Sequence, residues 1–562
     1  MDVVAGDGAP DAAFTRQEDE RWEADKEKNA ALSHVDHPRS NAAQFDEDWE
    51  RMKLPDGLES PRRLQSRFSR GGSYLAVNIA GQRNDNSNIL KDAPSKYLLN
   101  PPSAPEAGPP PEGCLPDPAC RTAKVTWNKR VTPESHWQDV RLLEIEVDIP
   151  DEGKPVHPLP GHTLVVYPKS FPADVRWLID RMGWTELADT PVEFDLLRPD
   201  APSTRLGVGV VPKGLHPLRN ATLRDLLIHN LDITAIPTRT FLEKISHYAV
   251  DAREKEKLVD LTKLDNTQEF YDFTSRPRRT ILEVLGEFES VKIPIDVVID
   301  LFPLIRGREF SIASGGRLLK GHGRGSLPVQ ILAALVEYKT VIRKPRQGLC
   351  SRYLKHLENG TRIHVAFRTQ HAAPCQDPDK PMIAIATGTG IAPIRSLLHD
   401  RDDFERPGPA LLFFGCRNRE ADFHFADEFA SLWHLRVIPA FSRDAPQPDH
   451  RTGDPGRPTP PVTMGGAEGG TAMGPWDALS TGMLAYAEDR GKNYVQHHIR
   501  QHGAQVCEFI RRGARIYLCG NSGAMPKAVY RALVDVMMAG NLCTSVAQAD
   551  MLLAMRFWVE TW

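Results

Sequence analysis

Apolar and polar residues alternate along AKVTWNKRVTP (123–133) and DVRLLEIEVD (139–148), which predicts two antiparallel strands with one buried face each. GHTLVVYP (161–168) adds a strand, and PADVRWLIDRMGW (172–184) carries helical spacing. From Thr222 to about Leu285 the period stays helical, in TLRDLLIHNL, RTFLEKISHYAVD and REKEKLVDLT. A helical insertion at about 215–290 is therefore expected inside a β-domain. Strands return at REFSIAS (308–314) and LPVQILAALVEYKTVI (327–342).

Past Pro381 the pattern changes. MIAIAT, ALLFFGCR, LRVIPAFSR and ARIYLCGN are short, continuously apolar runs, each followed by a helix-like or loop segment. Buried strands alternating with helices predict a parallel, doubly wound sheet. Two stretches stand apart. Residues 1–120 are charged or rich in Pro, Gly and Ser, and residues 445–475 are polar with many Gly and Pro. Neither holds enough apolar surface to offset its chain entropy, so both are expected to be largely disordered. Cys114 and Cys120 fall in the first stretch without partners at metal-ligand spacing.

Composition narrows the class. In 562 residues, 41% are hydrophobic and 26% charged, with a net charge of -4. This is an ordinary globular balance with no basic excess for nucleic acid or a membrane surface. No apolar run reaches the length that spans a bilayer. Eight scattered cysteines make no disulfide framework. The N-terminus has neither a secretory nor a basic targeting pattern. A cytoplasmic protein is expected.

Several short motifs could carry chemistry. GTG at 388–390 lies between a buried strand and a helix, where glycines let a diphosphate approach backbone amides; many βα turns carry two glycines for packing alone. In FSRD (441–444), Ser442 and Arg443 close a later strand, and a hydroxyl beside a guanidinium suits a phosphate monoester. KNYVQ (492–496) adds a cation and an aromatic ring. Solvated loop charges are the alternative reading of both. In REFSIAS, Arg308 can pair with a diphosphate, Phe310 can stack on a flat ring and Ser311 can hydrogen-bond its edge; an ordinary barrel strand is the alternative. Strict alternation puts Arg308 and Phe310 on one face and Ser311 on the other unless the strand kinks. RQGLCSRYLKHL (346–357) reads as a glycine turn before a helix, with Cys350 a packing residue rather than a nucleophile. Cys519 in YLCGN suits a strand core, and Trp562 closes the strand-like MRFWVETW.

In this order and spacing, RxFS, GLCS, GTGxAP, FFGCR, SRD, KNYVQ, CGN and an aromatic end resemble the diflavin reductase family over about residues 120–562. TPESHWQDVRLLE, RPRRTILEVL, GLCSRYL, CRNREADFHF, YVQHHIR and the ETW ending are most similar to the NADPH-dependent diflavin oxidoreductases of cytosolic iron–sulfur assembly. The resemblance implies a ferredoxin–NADP reductase-like architecture, α/β plus β-barrel. An FAD-binding β-barrel domain would occupy 121–375, with the helical insertion, and a doubly wound NADP-binding domain 376–562. Arg278, Arg308, Glu309, Phe310 and Ser311, with Gly348, Leu349, Cys350 and Ser351, match the FAD-binding motifs. Thr389, Ser442 and Arg443, with Lys492, Asn493, Tyr494, Val495 and Gln496, match the NADP-binding ones. Ser311, Cys519 and Glu560 match the set that positions the nicotinamide, and Trp562 the aromatic residue that covers the flavin ring. No metal site is implied.

The activity implied is hydride transfer from NADPH to FAD, then single electrons to an FMN domain or an anamorsin-type iron–sulfur assembly protein. Family members carry an N-terminal flavodoxin-like FMN domain, whereas residues before 120 show no strand followed by a Ser/Thr/Gly-rich phosphate loop. FMN is accordingly expected only from a domain supplied elsewhere. Ala528 stands where relatives commonly place an acidic residue near the nicotinamide ribose, and the 445–475 stretch separates two NADP motifs. The flavoprotein of a sulfite- or cytochrome-reductase system, or a truncated FAD-binding module that transfers no electrons, are the competing readings.

Overall fold

Strand β1 (Arg121–Arg130) pairs antiparallel with β2 (Val140–Asp148), and a register slip between Val125 and Trp127 bends the pair. Ala123, Val125, Leu143, Ile145 and Val147 are buried from this pair, as the alternation requires. The computed structural model describes residues 119–149, 161–191, 215, 221–319, 325–340, 345–368, 378–444, 493–554 and 556–562. The expectations for residues 1–118, for the 445–475 stretch and for Lys492 lie outside the described residues.

With β3 (Thr163–Tyr167), β4 (Arg308–Ser311), β5 (Ser326–Ala334) and β8 (Arg362–Arg368), the first pair forms a six-stranded sheet in the order β4-β3-β8-β1-β2-β5. Its two edges meet. Ile312 bridges to Ile331 and the Ala313 amide donates to the Gln330 carbonyl at 2.7 Å, which closes the sheet into a barrel. The apolar run at 327–342 breaks after Ala334, and β6 (Glu337–Lys339) instead forms a small exposed hairpin with β7 (Pro345–Gln347).

Between β3 and β4 the chain builds the helical insertion. Helices Pro172–Met182, Leu223–His229, Arg239–Ser246, Ala252–Thr262 and Ile281–Glu287 bury Leu178, Leu226, Leu242, Leu258 and Leu285 in one cluster. Thr222 with Asp225, and Thr280 with Glu283, form reciprocal caps that satisfy the first amides of their helices. Among the described residues no helix is long and apolar enough to cross a membrane.

The second sheet is wholly parallel, in the order β11-β10-β9-β12-β13: β9 is Met382–Thr387, β10 Ala410–Cys416, β11 Leu435–Phe441, β12 Arg515–Gly520 and β13 Phe557–Thr561. Met382, Ala384 and Ala386 of β9 join one core cluster while Ile383 and Ile385 join another, so both faces are covered. The connections leave β9 in one direction toward β10 and return on its other side at β12. Such a reversal opens a crevice at the carboxyl ends of β9 and β12.

Helix Ile391–Asp402 of the second sheet packs against the barrel segment that follows β4. A Cβ on Gly315 would lie 2.0 Å from the Ser396 carbonyl oxygen, so only glycine permits this approach. Ser396 Oγ donates to the Ser314 carbonyl at 2.7 Å. Arg395, 4% exposed, donates to the Ala313 carbonyl at 2.9 Å and to Gln330 Oε1 at 2.8 Å, and forks onto Glu428 at 2.6 and 2.9 Å. Replacing Arg395 by Met strands Gln330 Oε1 and the buried Ala313 carbonyl and leaves Glu428 with His399 alone. We expect a loss of roughly 3–5 kcal/mol, typical of breaking one side of a buried ion pair. Calorimetric unfolding checks this, and an unchanged transition would show that the seam is not stabilising.

Candidate functional site

At the crevice the two turns nest through glycine. Gly388 has φ +54°, and a Cβ on Gly390 would lie 2.4 Å from the Cys519 carbonyl oxygen. Gly520 has φ +141°, and its Cβ would meet Thr387 Oγ1 at 2.2 Å. Side chains here would push β9 and β12 apart. Thr389 sits half-buried in this turn, just before helix Ile391–Asp402. The arrangement presents backbone rather than side-chain bulk to the crevice, which fits a diphosphate.

Beside it, three residues named from the sequence come together from three strands. Ser311 ends β4 of the barrel, Cys519 lies on β12, and Glu560 faces Cys519 in register on β13. Ser311 Oγ donates to Glu560 Oε1 at 2.5 Å, joining the barrel to the parallel sheet. Glu560 is 5% exposed, and its Oε2 has no hydrogen-bond partner among the described residues. Burial pushes this carboxyl up to about 7, against the Ser311 hydrogen bond, with the Glu309 charge adding to the rise. An acceptor held without a donor in a crevice is the chemical complement of an amide N–H from a ligand. Cys519 is wholly buried and its thiol is raised well above the ordinary range, first by burial and then by Glu560, so it is an uncharged packing surface. Trp562 hangs on the same strands through its backbone, its N–H donating to the Gly520 carbonyl at 3.1 Å, while the residue stays 51% exposed.

The candidate FAD residues occupy the barrel. Arg308 and Glu309 are exposed, and Phe310 packs half-buried against the barrel core. Ser311 turns to the parallel sheet because the strand ends there and Ile312 crosses to β5. Arg278 has φ +53°, a left-handed conformation that an arginine adopts only where its surroundings hold it. The holder is Arg346, which the sequence did not single out. Buried at the start of the GLCS turn, it donates from Nε to the Pro277 carbonyl at 3.0 Å and from Nη1 to both Glu283 oxygens at 2.7 and 2.8 Å. It thereby fixes the loop of Arg278 next to Gly348, which caps helix Leu349–Lys355. Within this motif, Leu349 is half-buried and Ser351 Oγ accepts from the Val336 amide at 2.8 Å. The Cys350 thiol is buried and pushed up to about 12, as a packing residue would be.

The candidate phosphate-monoester residues cluster at the ends of β10 and β11. The Ser442 amide and hydroxyl donate to the Cys416 carbonyl at 3.0 and 3.3 Å, and the Arg443 amide donates to the Arg417 carbonyl at 2.9 Å. The Arg443 side chain is exposed. Asn493, Tyr494 and Gln496 lie half-buried at the start of helix Val495–Gln501. Val495 is different: it is 2% exposed in the core, and a Cβ on Gly415 would touch its Cγ1 at 2.9 Å. Its side chain anchors the helix to β10 and leaves its neighbours half-buried at the end of the strand. Arg417 is the second residue that sequence reasoning passed over, although CRNRE carried the signal.

Comparison with known proteins agrees with this layout. Residues 119–353 match the FAD binding domain model, and residues 384–456 the oxidoreductase NAD-binding domain model. A Gibberella zeae protein named NADPH-dependent diflavin oxidoreductase 1 is 37% identical over 80% of this chain and 66% of its own length. Proteins of the same name from Aspergillus fumigatus and Mus musculus are 38% and 33% identical, over 75% and 78% of this chain and 59% and 65% of their own lengths. The chain thus spans somewhat less than two thirds of these relatives. With both domain matches, the crevice between β9 and β12 and the barrel seam in one sequence, the chain belongs to the NADPH-dependent diflavin oxidoreductase family.

Proposed function

We propose that the protein is an NADPH-dependent flavoprotein reductase whose FAD lies in the barrel and whose NADPH lies in the β9/β12 crevice. The Ser311–Glu560 hydrogen bond carries this reading, because it unites the ends of the two binding domains at one point. Bound FAD would supply the chemistry, taking a hydride and releasing single electrons. This chain's residues do the rest. Arg278 and Arg308 offer charge to the FAD diphosphate, Phe310 an aromatic face, and Gly348 through Ser351 a turn free of bulk, Glu309 standing beside them. Thr389 with the glycine turns receives the NADPH diphosphate, and Ser442 and Arg443 its 2′-phosphate. Lys492, Asn493, Tyr494 and Gln496 flank the adenosine, with Val495 acting from the core. Glu560 and Ser311 would hold the nicotinamide carboxamide, Cys519 would line that contact, and Trp562 would cover the flavin ring.

The electrons would pass to an FMN-binding domain or to an anamorsin-type iron–sulfur assembly protein. The six described cysteines are free thiols, which suits the cytoplasm. The test is direct: flavin released by heat from purified protein should be FAD, and the protein should reduce ferricyanide with NADPH. Protein that carries no FAD, or that binds FAD and leaves ferricyanide unreduced, defeats the proposal.

Arg443→Ala should raise KM for NADPH by about tenfold to a hundredfold, the worth of a charge-assisted contact of roughly 1.5–3 kcal/mol, with NADH nearly unaffected. Equal losses for the two cofactors would remove Arg443 from the pocket.

Glu560 predicts a pH dependence of stability. Its folded value of about 7 lies above the ordinary 4.5, so the folded state holds the proton more tightly. The resulting stabilisation is complete below the unfolded value and disappears as pH rises through the folded one. The melting temperature of the protein should therefore fall, relative to Glu560→Gln, between pH 5 and 7 and run parallel above. A constant difference across that window would mean the carboxyl is ionised throughout.

A further inference from the structure

Trp137 is an exposed aromatic residue, 59% accessible, on the barrel loop between β1 and β2. The loop is held firmly. Arg130 donates from Nη2 to the carbonyls of Pro133 and His136 at 2.9 and 2.8 Å, and Thr132 Oγ1 donates to the Gln138 carbonyl at 2.8 Å while accepting the Val140 amide at 3.1 Å. Against this loop lies Arg417 of the second domain. Its guanidinium carbon is 4.4 Å from the Trp137 ring centroid, and its Nη1 donates to Gln138 Oε1 at 3.1 Å.

Arg417 stands in an unusual electrostatic position. Its carbonyl receives the Arg443 amide, which brings two arginines to the ends of adjacent strands with Ser442 between them. Burial lowers its pKa from the ordinary value and the Arg443 charge lowers it further, against partial attraction from Asp422. The nearby carboxylates are engaged elsewhere. Asp422 accepts the backbone amides of Arg417 and Asn418, and Asp444 accepts Asn418 Nδ2 and the Arg419 amide. Among the described residues the one hydrogen-bond partner of the Arg417 guanidinium is the neutral Gln138. Among the described residues neither the Arg417 nor the Arg443 guanidinium forms an ion pair with a carboxylate, which leaves two cations able to receive a multiply charged anion.

We propose that Trp137 is a positioning residue for cofactor selection: its ring and Gln138 hold Arg417 beside Arg443, so that Arg417, Ser442 and Arg443 together receive the 2′-phosphate. This rests on the NADPH reading above and adds a barrel residue to a pocket otherwise built by the second domain. The repulsion between the two guanidinia tends to swing Arg417 into solvent, and the cation–π contact opposes it. Removing the ring lets Arg417 leave while Arg443 and Ser442 remain.

Calorimetric titration of the purified full chain with adenosine 2′,5′-bisphosphate and with 5′-AMP tests this without turnover. Wild type should prefer the bisphosphate. Trp137→Ala should bind the bisphosphate roughly three- to tenfold more weakly, the range of a cation–π contact, with 5′-AMP unchanged. Trp137→Phe should restore most of the loss, and Trp137→Ala should add nothing in an Arg417→Ala background, since one interaction cannot be lost twice. Undiminished discrimination in Trp137→Ala, or equal weakening of both ligands, overturns the inference while leaving the NADPH reading intact. A wild type that does not distinguish the two ligands overturns the NADPH reading itself.

Discussion

The Arg395 guanidinium sits where the barrel meets the parallel sheet, and its nitrogens reach both sides. Toward the barrel it binds the Ala313 carbonyl and Gln330; toward its own domain it forks onto Glu428. The chain of contacts continues outward, with Gln330 Nε2 donating to Glu144, Thr126 Oγ1 donating to the same carboxylate at 2.9 Å, and His399 meeting Glu428 at 2.5 Å. Burial raises the Glu428 pKa, but the hydrogen bonds from His399 and Arg395 outweigh it and bring the carboxyl to about 2. The acid is therefore ionised wherever the protein is folded at neutral pH, and the arginine is never without its counter-charge. Phe425 adopts a left-handed backbone, φ +63°, with its ring 4.5 Å from that guanidinium. A strained aromatic residue over a buried cation indicates how strongly the surroundings fix this point.

Ala313 lies two residues beyond Ser311, so the Arg395 contact determines where β4 ends relative to β13. That fixes the Ser311–Glu560 hydrogen bond in turn. A domain seam held by polar groups is more directional than an apolar one: burying oil against oil tolerates sliding, whereas a forked guanidinium loses its bonds within a fraction of an ångström. The glycines act in the same sense. Gly315 against Ser396, and Gly390 against Cys519, allow backbone-to-backbone approach where any side chain would separate the layers. Apolar surface lies across the seam as well, since Val140, Ala313 and Leu332 of the barrel share one buried cluster with Ile394, Leu397 and Phe429 of the second domain; the polar fork and the glycine contacts give that surface its register.

Much of the fold was legible in the sequence because periodicity is local. Two-residue alternation marked β1 and β2, and continuous apolar runs marked β9, β10, β11 and β12, each from its own residues. The break after Ala334 was not legible, since Leu335 and Val336 carry the apolar run past it and Val341 and Ile342 resume it, while the chain turns away from the barrel. At the site, the glycine turns and the Ser311, Cys519 and Glu560 positions were readable through motif order. The residues that hold them were not. Arg346, Arg395 and Arg417 act on partners 63, 82 and 279 residues away, and no local pattern reports such pairings. A motif also says nothing of side-chain direction. Val495 and Cys350 stand within candidate cofactor motifs yet are buried in the core, beside neighbours that remain part-exposed.

The placement of Glu560 involves a conflict between two physical demands. Nicotinamide becomes cationic when it gives up a hydride, so an ionised carboxylate nearby favours the reaction on the proposed reading. The same carboxylate must be shielded from water for its charge to act strongly, and shielding raises its pKa toward neutrality. Greater burial would leave it protonated and without charge; less burial would leave it ionised but screened. Ser311 eases the conflict, because its hydroxyl donates to the ionised form and opposes the effect of burial. Since Ser311 belongs to the barrel and Glu560 to the parallel sheet, the charge state of the acid depends on the docking of the two domains. An opening of the seam around Arg395 would withdraw that hydrogen bond and admit water at the same time. The two changes push the carboxyl pKa in opposite directions, so its titration reports on the seam as well as on the acid.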